Sequence, residues 1–145
     1  MIFGADLIAG FPTESDAMFE NTLAIIEECN FTHLHVFPFS ARPGTPAARM
    51  PQLENTLIKQ RAARLRQKGD ELFQSHIERL IGQQVEILVE RGNRGHLADF
   101  TPAFFDTKNN VDIVPGTFVK ALATGHNKKA LRLESQAPHA ISNMV

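Results

Sequence analysis

The hydrophobic positions of this chain change their period twice, and each change marks a different kind of structure. Ile2, Phe3, Leu7, Ile8 and Ala9 form a dense apolar run that stops at Gly10, Phe11 and Pro12, the pattern of a strand covered on both faces in a parallel sheet. Thr13 stands three residues before Asp16, a capping-box-like spacing that offers oxygen acceptors to the free N–H groups of a helix start. A helix is predicted from about Ser15 to Cys29, with Phe19, Leu23 and Ile26 on one face and Glu20, Glu27 and Glu28 largely away from it. Asn30 closes it, and a second strand runs through Leu34 and Val36 toward Phe37 and Phe39 before breaking into Ser40, Arg42, Pro43, Gly44 and Pro46. Residues 1 to about 48 read as one β-α-β unit, whose right-handed crossover makes the two strands parallel. The apolar run begins with no lead-in and no partner strand, so the unit reads as cut from a larger sheet, with an exposed apolar edge at Leu7, Ile8 and Ala9.

The period then becomes helical. Residues 51–81 read as one long helix, with Pro51 in its first turn, Leu57, Arg61, Leu65, Leu72, Phe73, Ile77 and Leu80 in step, and Gly82 just past its end. Gly69 interrupts it at a cost of roughly 1 kcal/mol relative to Ala, which predicts a kink or a break. From Gln83 the period becomes two. Val85, Ile87 and Val89 alternate with Glu86 and Glu90, Gly92, Asn93 and Gly95 give a turn, and further strands are predicted at 103–105, 117–124 and 130–134. Four or five short antiparallel strands in about 55 residues suit a small closed barrel of the OB type, a fold that binds oligonucleotides. The stretch 136–145 has little pattern and reads as a frayed tail.

Composition narrows the chemistry. A chain of 145 residues, 43% of them hydrophobic, can bury one core, or a partial core plus a small module. One cysteine, Cys29, excludes an internal disulfide framework and any multi-cysteine site carried wholly by this chain. Its place on the inner pattern of the first helix reads as a buried small hydrophobe. No apolar run is long enough to cross a membrane and no basic-then-apolar leader is present, which predicts a soluble, cytoplasmic protein. Net charge is −1, with acidic residues in excess over the first fifty positions and none between Asn55 and Gly69, where Lys59, Arg61, Arg64, Arg66 and Lys68 crowd together. That run is either a solvated helix face or a contact for a phosphate backbone. His33 and His35 alternate along a strand, but with no third ligand nearby they favour a structural reading over a metal site.

Several strings in this order carry a resemblance: GADLIAGFPTES from Gly4, LHVFPFSARPGTPAARMP from Leu34, then VEILVE, FTPAFFD and FVKALATGHN in the terminal part. Together they resemble the C-terminal part of the radical SAM tRNA methylthiotransferases, in the branch that acts on N6-threonylcarbamoyladenosine next to the anticodon. The resemblance implies α/β followed by all-β architecture: the end of a partial (β/α) radical SAM barrel over 1–50, a linker helix over 51–81, a TRAM β-barrel over 82–135 and a tail over 136–145. It implies transfer of a methylthio group to C2 of the adenosine, with S-adenosylmethionine and [4Fe-4S] clusters as cofactors and tRNA as partner.

Carried onto this sequence, the family's fifth barrel strand falls on Asp6 to Gly10 and its sixth on Leu34 to Phe39, the two strands that flank the adenosyl end of the cofactor. The implied cofactor positions are Gly10, Phe37, Pro38, Phe39, Ser40 and Arg42, with backbone groups of the strand end pairing the adenine edge. The candidate tRNA contacts are Arg61, Arg64 and Arg66 of the basic run and Lys120, with His126, Lys128 and Lys129 of a barrel turn that is otherwise an ordinary solvated turn. Thr13 and Phe39 stand where many relatives have Gly and Tyr. The three-cysteine loop that holds the family's cluster is not in this chain, so the resemblance also implies an N-terminal portion of the same polypeptide as a partner, and no cleavage of S-adenosylmethionine by this chain alone. A second class stays open: a tRNA-binding module that does no chemistry.

Overall fold

The computed structural model describes residues 3–106 and 114–135; the stretch read as a tail, 136–145, lies outside them. The chain forms two compact units that divide between Ser75 and His76. Among the described residues no helix is long and apolar enough to cross a membrane.

The first unit holds β1 (Phe3–Ala9), α1 (Asp16–Glu28), β2 (Phe31–Pro38), a 3-10 turn (Ala47–Arg49) and most of α2 (Asn55–Leu80). β1 and β2 pair in parallel with Leu7 opposite Val36 and Ile8 opposite Phe37. Because side chains alternate across a strand, Leu7, Ala9, Leu34 and Val36 share the inner face and pack with Phe19, Ile26, Ala62 and Leu65. The opposite face is not covered as a doubly buried strand would be: Ile8 and Phe37 are 59% and 53% exposed. Exposure therefore lies on a sheet face at these two residues, while Ala9, expected at an exposed edge, is fully buried.

Ser15, not Thr13, caps α1: its hydroxyl accepts from the Met18 N–H at 3.2 Å. Thr13 has φ +74°, a left-handed conformation that favours glycine and that explains why Gly suits this position. Cys29 is corrected from buried to exposed, because it caps the C-terminal end of α1, past the face that Phe19 and Ile26 bury. The second helix starts at Asn55 rather than 51, so Pro51 precedes it. Gly69 does not break it. A Cβ there would stand 3.0 Å from Leu34 Cδ1, so the glycine allows α2 to lie close against β2.

The second unit is a closed five-stranded barrel of β3 (Gln84–Arg91), β4 (Arg94–Leu97), β5 (Pro102–Phe105), β6 (Phe118–His126) and β7 (Leu131–Ser135) in the order β3-β4-β5-β7-β6. Ile87, Val89, Ala103, Phe105, Ala121, Ala123, Leu131 and Leu133 fill it, each at most 3% exposed. The order is that of a Greek-key barrel of the OB type. Two expectations change. β5 and β7 pair in parallel, so the barrel is not wholly antiparallel. Gly95 belongs to β4, not to a turn, and a Cβ on it would collide with the Leu88 carbonyl oxygen.

Candidate nucleic-acid interface and strand-end lip

On the outer surface of the barrel, register brings four residues from four neighbouring strands into one row. Arg94 on β4 stands opposite Phe104 on β5, Phe104 opposite Arg132 on β7, and Arg132 opposite Gly125 on β6. A Cβ at Gly125 would lie 2.7 Å from Arg132 Nη2, so the guanidinium rests across the bare backbone of that glycine. Beside the row is a cleft of about 540 Å³ lined by Glu90, Arg91, Arg94, His96, Pro102, Phe104, Asn127 and Lys129, among others. Its wall is the β4–β5 face, and its ends are the turns from β3 to β4 and from β6 to β7, the positions where OB-type barrels take oligonucleotides. Among the described residues no carboxylate pairs with Arg91, Arg94, Lys129 or Arg132. Glu90, the acidic residue of the cleft, faces His96 Nδ1 at 3.0 Å.

The turn that carries Lys128 and Lys129 is tied down. Asn127 Oδ1 accepts from the N–H groups of Lys129 and Ala130 at 3.0 and 2.8 Å, and His126 Nδ1 accepts from Lys128 N–H at 3.0 Å. That bond leaves the ring proton of His126 on Nε2, which faces Glu78 Oε1 at 3.9 Å. His126 is thus a brace of the turn, and Lys129 is the residue of the turn's basic pair that reaches the cleft. Lys120 is exposed on β6, opposite Glu86 of β3 and outside the cleft.

The basic run of α2 is corrected in part. Arg61 is 3% exposed and bonds Glu14 Oε2 at 2.7 Å and Asp16 Oδ1 at 2.6 Å, so it offers no free charge to a phosphate. Burial pulls its pKa down, and the hydrogen bonds and charges of Asp16 and Glu14 outweigh that, holding it above its ordinary value. Arg64 pairs with Glu20 at 2.8 Å and Lys68 with Glu27 at 3.3 Å, both partly exposed. Arg66 is exposed and donates to the Val36 carbonyl at 2.9 Å.

The ends of β1 and β2 form the lip read as a cofactor site. Phe37 and Pro38 are exposed, Ser40 and Arg42 are exposed beyond them, and the Phe39 ring meets Phe11 edge-on at 5.4 Å between centroids. Two backbone donors there are already engaged: Phe39 N–H with the Ala9 carbonyl at 2.8 Å and Gly10 N–H with Glu14 Oε2 at 3.0 Å. Gly10 has φ +77° and would place a Cβ 2.6 Å from Ile58 Cγ1, so its role is to let the β1 turn meet α2. What the lip leaves open to a ligand is exposed apolar and polar side chains more than strand-end N–H groups. An iron-sulfur cluster does not fit: one exposed thiol is present, and among the described residues no three His, Cys, Asp or Glu side chains converge on a metal-sized site. His33 packs edge-on to Phe73 at 5.5 Å, while His35 is exposed.

No family model matches the chain. It is 52% identical over 104 residues to the threonylcarbamoyladenosine tRNA methylthiotransferase MtaB of Rickettsia prowazekii, covering 72% of this chain and 25% of that protein. It is 32% identical over 130 residues to the tRNA-2-methylthio-N(6)-dimethylallyladenosine synthase of Thermobifida fusca, covering 82% and 26%, and 40% identical over 86 residues to the MtaB of Thermotoga maritima, covering 59% and 20%. The chain spans about a quarter of the length of the curated relatives it matches. With the strand motifs in the first unit and the barrel in the second, this likeness places the chain among the homologues of the tRNA methylthiotransferases and is consistent with the C-terminal part of a radical SAM member of that family.

Proposed function

We propose that this chain holds tRNA for an enzyme that adds a methylthio group to C2 of N6-threonylcarbamoyladenosine next to the anticodon. The observation that carries the reading is the barrel's cleft, whose Arg91, Arg94 and Lys129 have no carboxylate partner among the described residues, in a chain 52% identical to a protein of that name. Unpaired cations on an OB-type surface attract a phosphate backbone by releasing its counterions. In this reading 82–135 is the TRAM module, 51–81 the linking helix and 1–50 the end of the radical SAM barrel, in the cytoplasm. Arg64, Arg66, Lys120, Lys128 and Lys129 join Arg91 and Arg94 as phosphate contacts.

S-adenosylmethionine, when bound, supplies the radical and methyl chemistry of the reaction. Phe37, Phe39, Ser40 and Arg42 would hold its adenosyl end, Phe11 and Phe39 excluding water from it. The [4Fe-4S] cluster has no ligand set here, so its cysteines belong to a preceding portion of the polypeptide. That same lack favours a second reading for the chain taken alone, a tRNA-binding module without chemistry.

The test is fluorescence anisotropy of the 145-residue chain with a labelled anticodon stem-loop at several salt concentrations. Binding with a Kd on the order of 1 to 100 μM and a negative salt slope is expected. No binding at low salt would remove the tRNA reading.

A further inference from the structure

The cleft and the row beside it differ from the basic run of α2. Arg61, Arg64 and Lys68 each face carboxylates. Arg94 and Arg132 instead flank a half-buried aromatic ring, Phe104, on adjacent strands. Directly opposed residues on neighbouring strands stand about 5 Å apart on one face, so along the row Phe104 stands between the positions of Arg94 and Arg132. The Arg132 guanidinium lies low over β6 because Gly125 has no side chain to lift it. A hydrophobic protein partner would want a larger apolar area than one ring between charges. A duplex would want cations without the ring, since paired bases are not free to stack. A nucleobase with a free π-face and a phosphate on either side uses all three groups at once.

From this row we infer that the β4–β5–β7 surface is a stacking platform for an unpaired nucleotide of RNA, its base on Phe104 and its flanking phosphates on Arg94 and Arg132. Arg91 and Lys129 extend the phosphate path along the cleft. This rests on the tRNA reading above and adds to it what is bound, a single-stranded segment rather than a helix, and where. Such a platform selects for strandedness and tolerates sequence, because every base has a π-face.

The experiment titrates the full 145-residue chain against a labelled 12-nucleotide single-stranded RNA, the same RNA in a duplex, and an anticodon stem-loop, with polyglutamate as competitor. Phe104→Leu should weaken single-strand binding by about 5- to 100-fold and leave the salt slope unchanged. Phe104→Tyr should bind as the parent does, which separates loss of the ring from loss of the fold. Arg94→Gln with Arg132→Gln should reduce the slope by about 1.4, at roughly 0.7 per phosphate contact on a single strand. Single-strand affinity of Phe104→Leu within about twofold of the parent would overturn the platform, since stacking is expected to contribute more than that. So would duplex binding as tight as single-strand binding, or displacement by polyglutamate that depends on Phe104. If the chain binds neither tRNA nor oligonucleotide, the tRNA reading fails with it; if it binds the stem-loop and Phe104→Leu leaves every affinity intact, only the platform fails.

Discussion

Arg61 Nη1 donates at 2.7 Å to both the side chain and the backbone carbonyl of Glu14, 47 positions earlier in the chain. The same carboxylate oxygen accepts the Gly10 N–H, so one buried arginine fixes the turn after β1 to the N-terminal part of α2. Glu14 is 12% exposed and Asp16 92% at the side chain. The bond to Glu14 should therefore dominate, because the Asp16 charge is screened by water.

Arg61→Met should destabilise the first unit by about 3–5 kcal/mol, since it leaves Glu14 charged, buried and unpaired. Adding Glu14→Gln should recover part of that loss, because the remaining group is then neutral. Urea unfolding of the two variants and the parent checks this, and equal midpoints would show that the pair contributes nothing.

The turn has a second constraint at Gly10. Gly10→Ala should destabilise through two separable effects: a left-handed φ, at about 1–2 kcal/mol, and a clash with Ile58. Ile58→Ala should itself be costly, since it empties a buried site. Combined with Gly10→Ala it should cost less than the sum of the two, because the smaller side chain removes the clash. Strict additivity in thermal unfolding would place the whole effect in the backbone.

These contacts mark what could and could not be read along the chain. The alternation of Val85, Ile87 and Val89 and the helical spacing of Leu65, Leu72 and Ile77 foretold their elements, because burial imposes its period on the residues that are buried. Arg61 looked like its basic neighbours, since the carboxylates that neutralise it lie 45 and 47 positions away. β4 was missed because its close approach to β3 demands Gly95, and a glycine between Arg94 and His96 reads as a turn. The Phe104 row was missed for a related reason: Arg94, Phe104 and Arg132 come from three strands, and only the register, including the parallel β5–β7 pair, makes them neighbours. The place of Lys129 in a turn was legible because turn and charge are both local.

In the second unit Asp99 Oδ2 stands 3.2 Å from His76 Nε2, and Thr101 Oγ1 lies 3.0 Å from the same nitrogen. Burial pushes the Asp99 pKa up, but the Thr101 hydroxyl and N–H and the nearby His76 outweigh it, so the group sits below its ordinary 3.8. A depressed carboxyl contributes stability that is complete above its unfolded value and lost as pH falls through the folded one. The stability difference between the parent and Asp99→Asn should therefore be largest above about pH 5 and shrink below pH 4. Urea titrations at pH 6 and pH 3 measure it, and a difference that does not change with pH would count against the linkage.

S-adenosylmethionine should bind this chain weakly or not at all. The strand-end lip keeps exposed Phe37, Ser40 and Arg42, but the Gly10 and Phe39 amides are engaged and, among the described residues, no cluster ligands converge to hold the amino acid end. Calorimetry showing micromolar affinity would move the site to residues other than these.

Salt dependence separates the two remaining basic patches. Arg64 already faces Glu20, and Arg66 donates to a backbone carbonyl, so each must give up a partner to reach a phosphate. Lys128 and Lys129 project from a turn that Asn127 holds in place, with no carboxylate bound to either among the described residues. Lys128 has φ +72°, so Lys128→Gly removes its charge while relieving backbone strain, and the barrel should be at least as stable as before. Lys128→Gly with Lys129→Gln should lower the slope of log affinity against log salt for the stem-loop by up to about 1.4, at roughly 0.7 per phosphate contact on a single strand. Arg64→Gln with Arg66→Gln should change it by less, because those charges are already partly neutralised. Anisotropy titrations between 50 and 200 mM salt give both slopes. A larger change from the helix pair than from the turn pair would reverse the assignment and put the main phosphate contacts on α2.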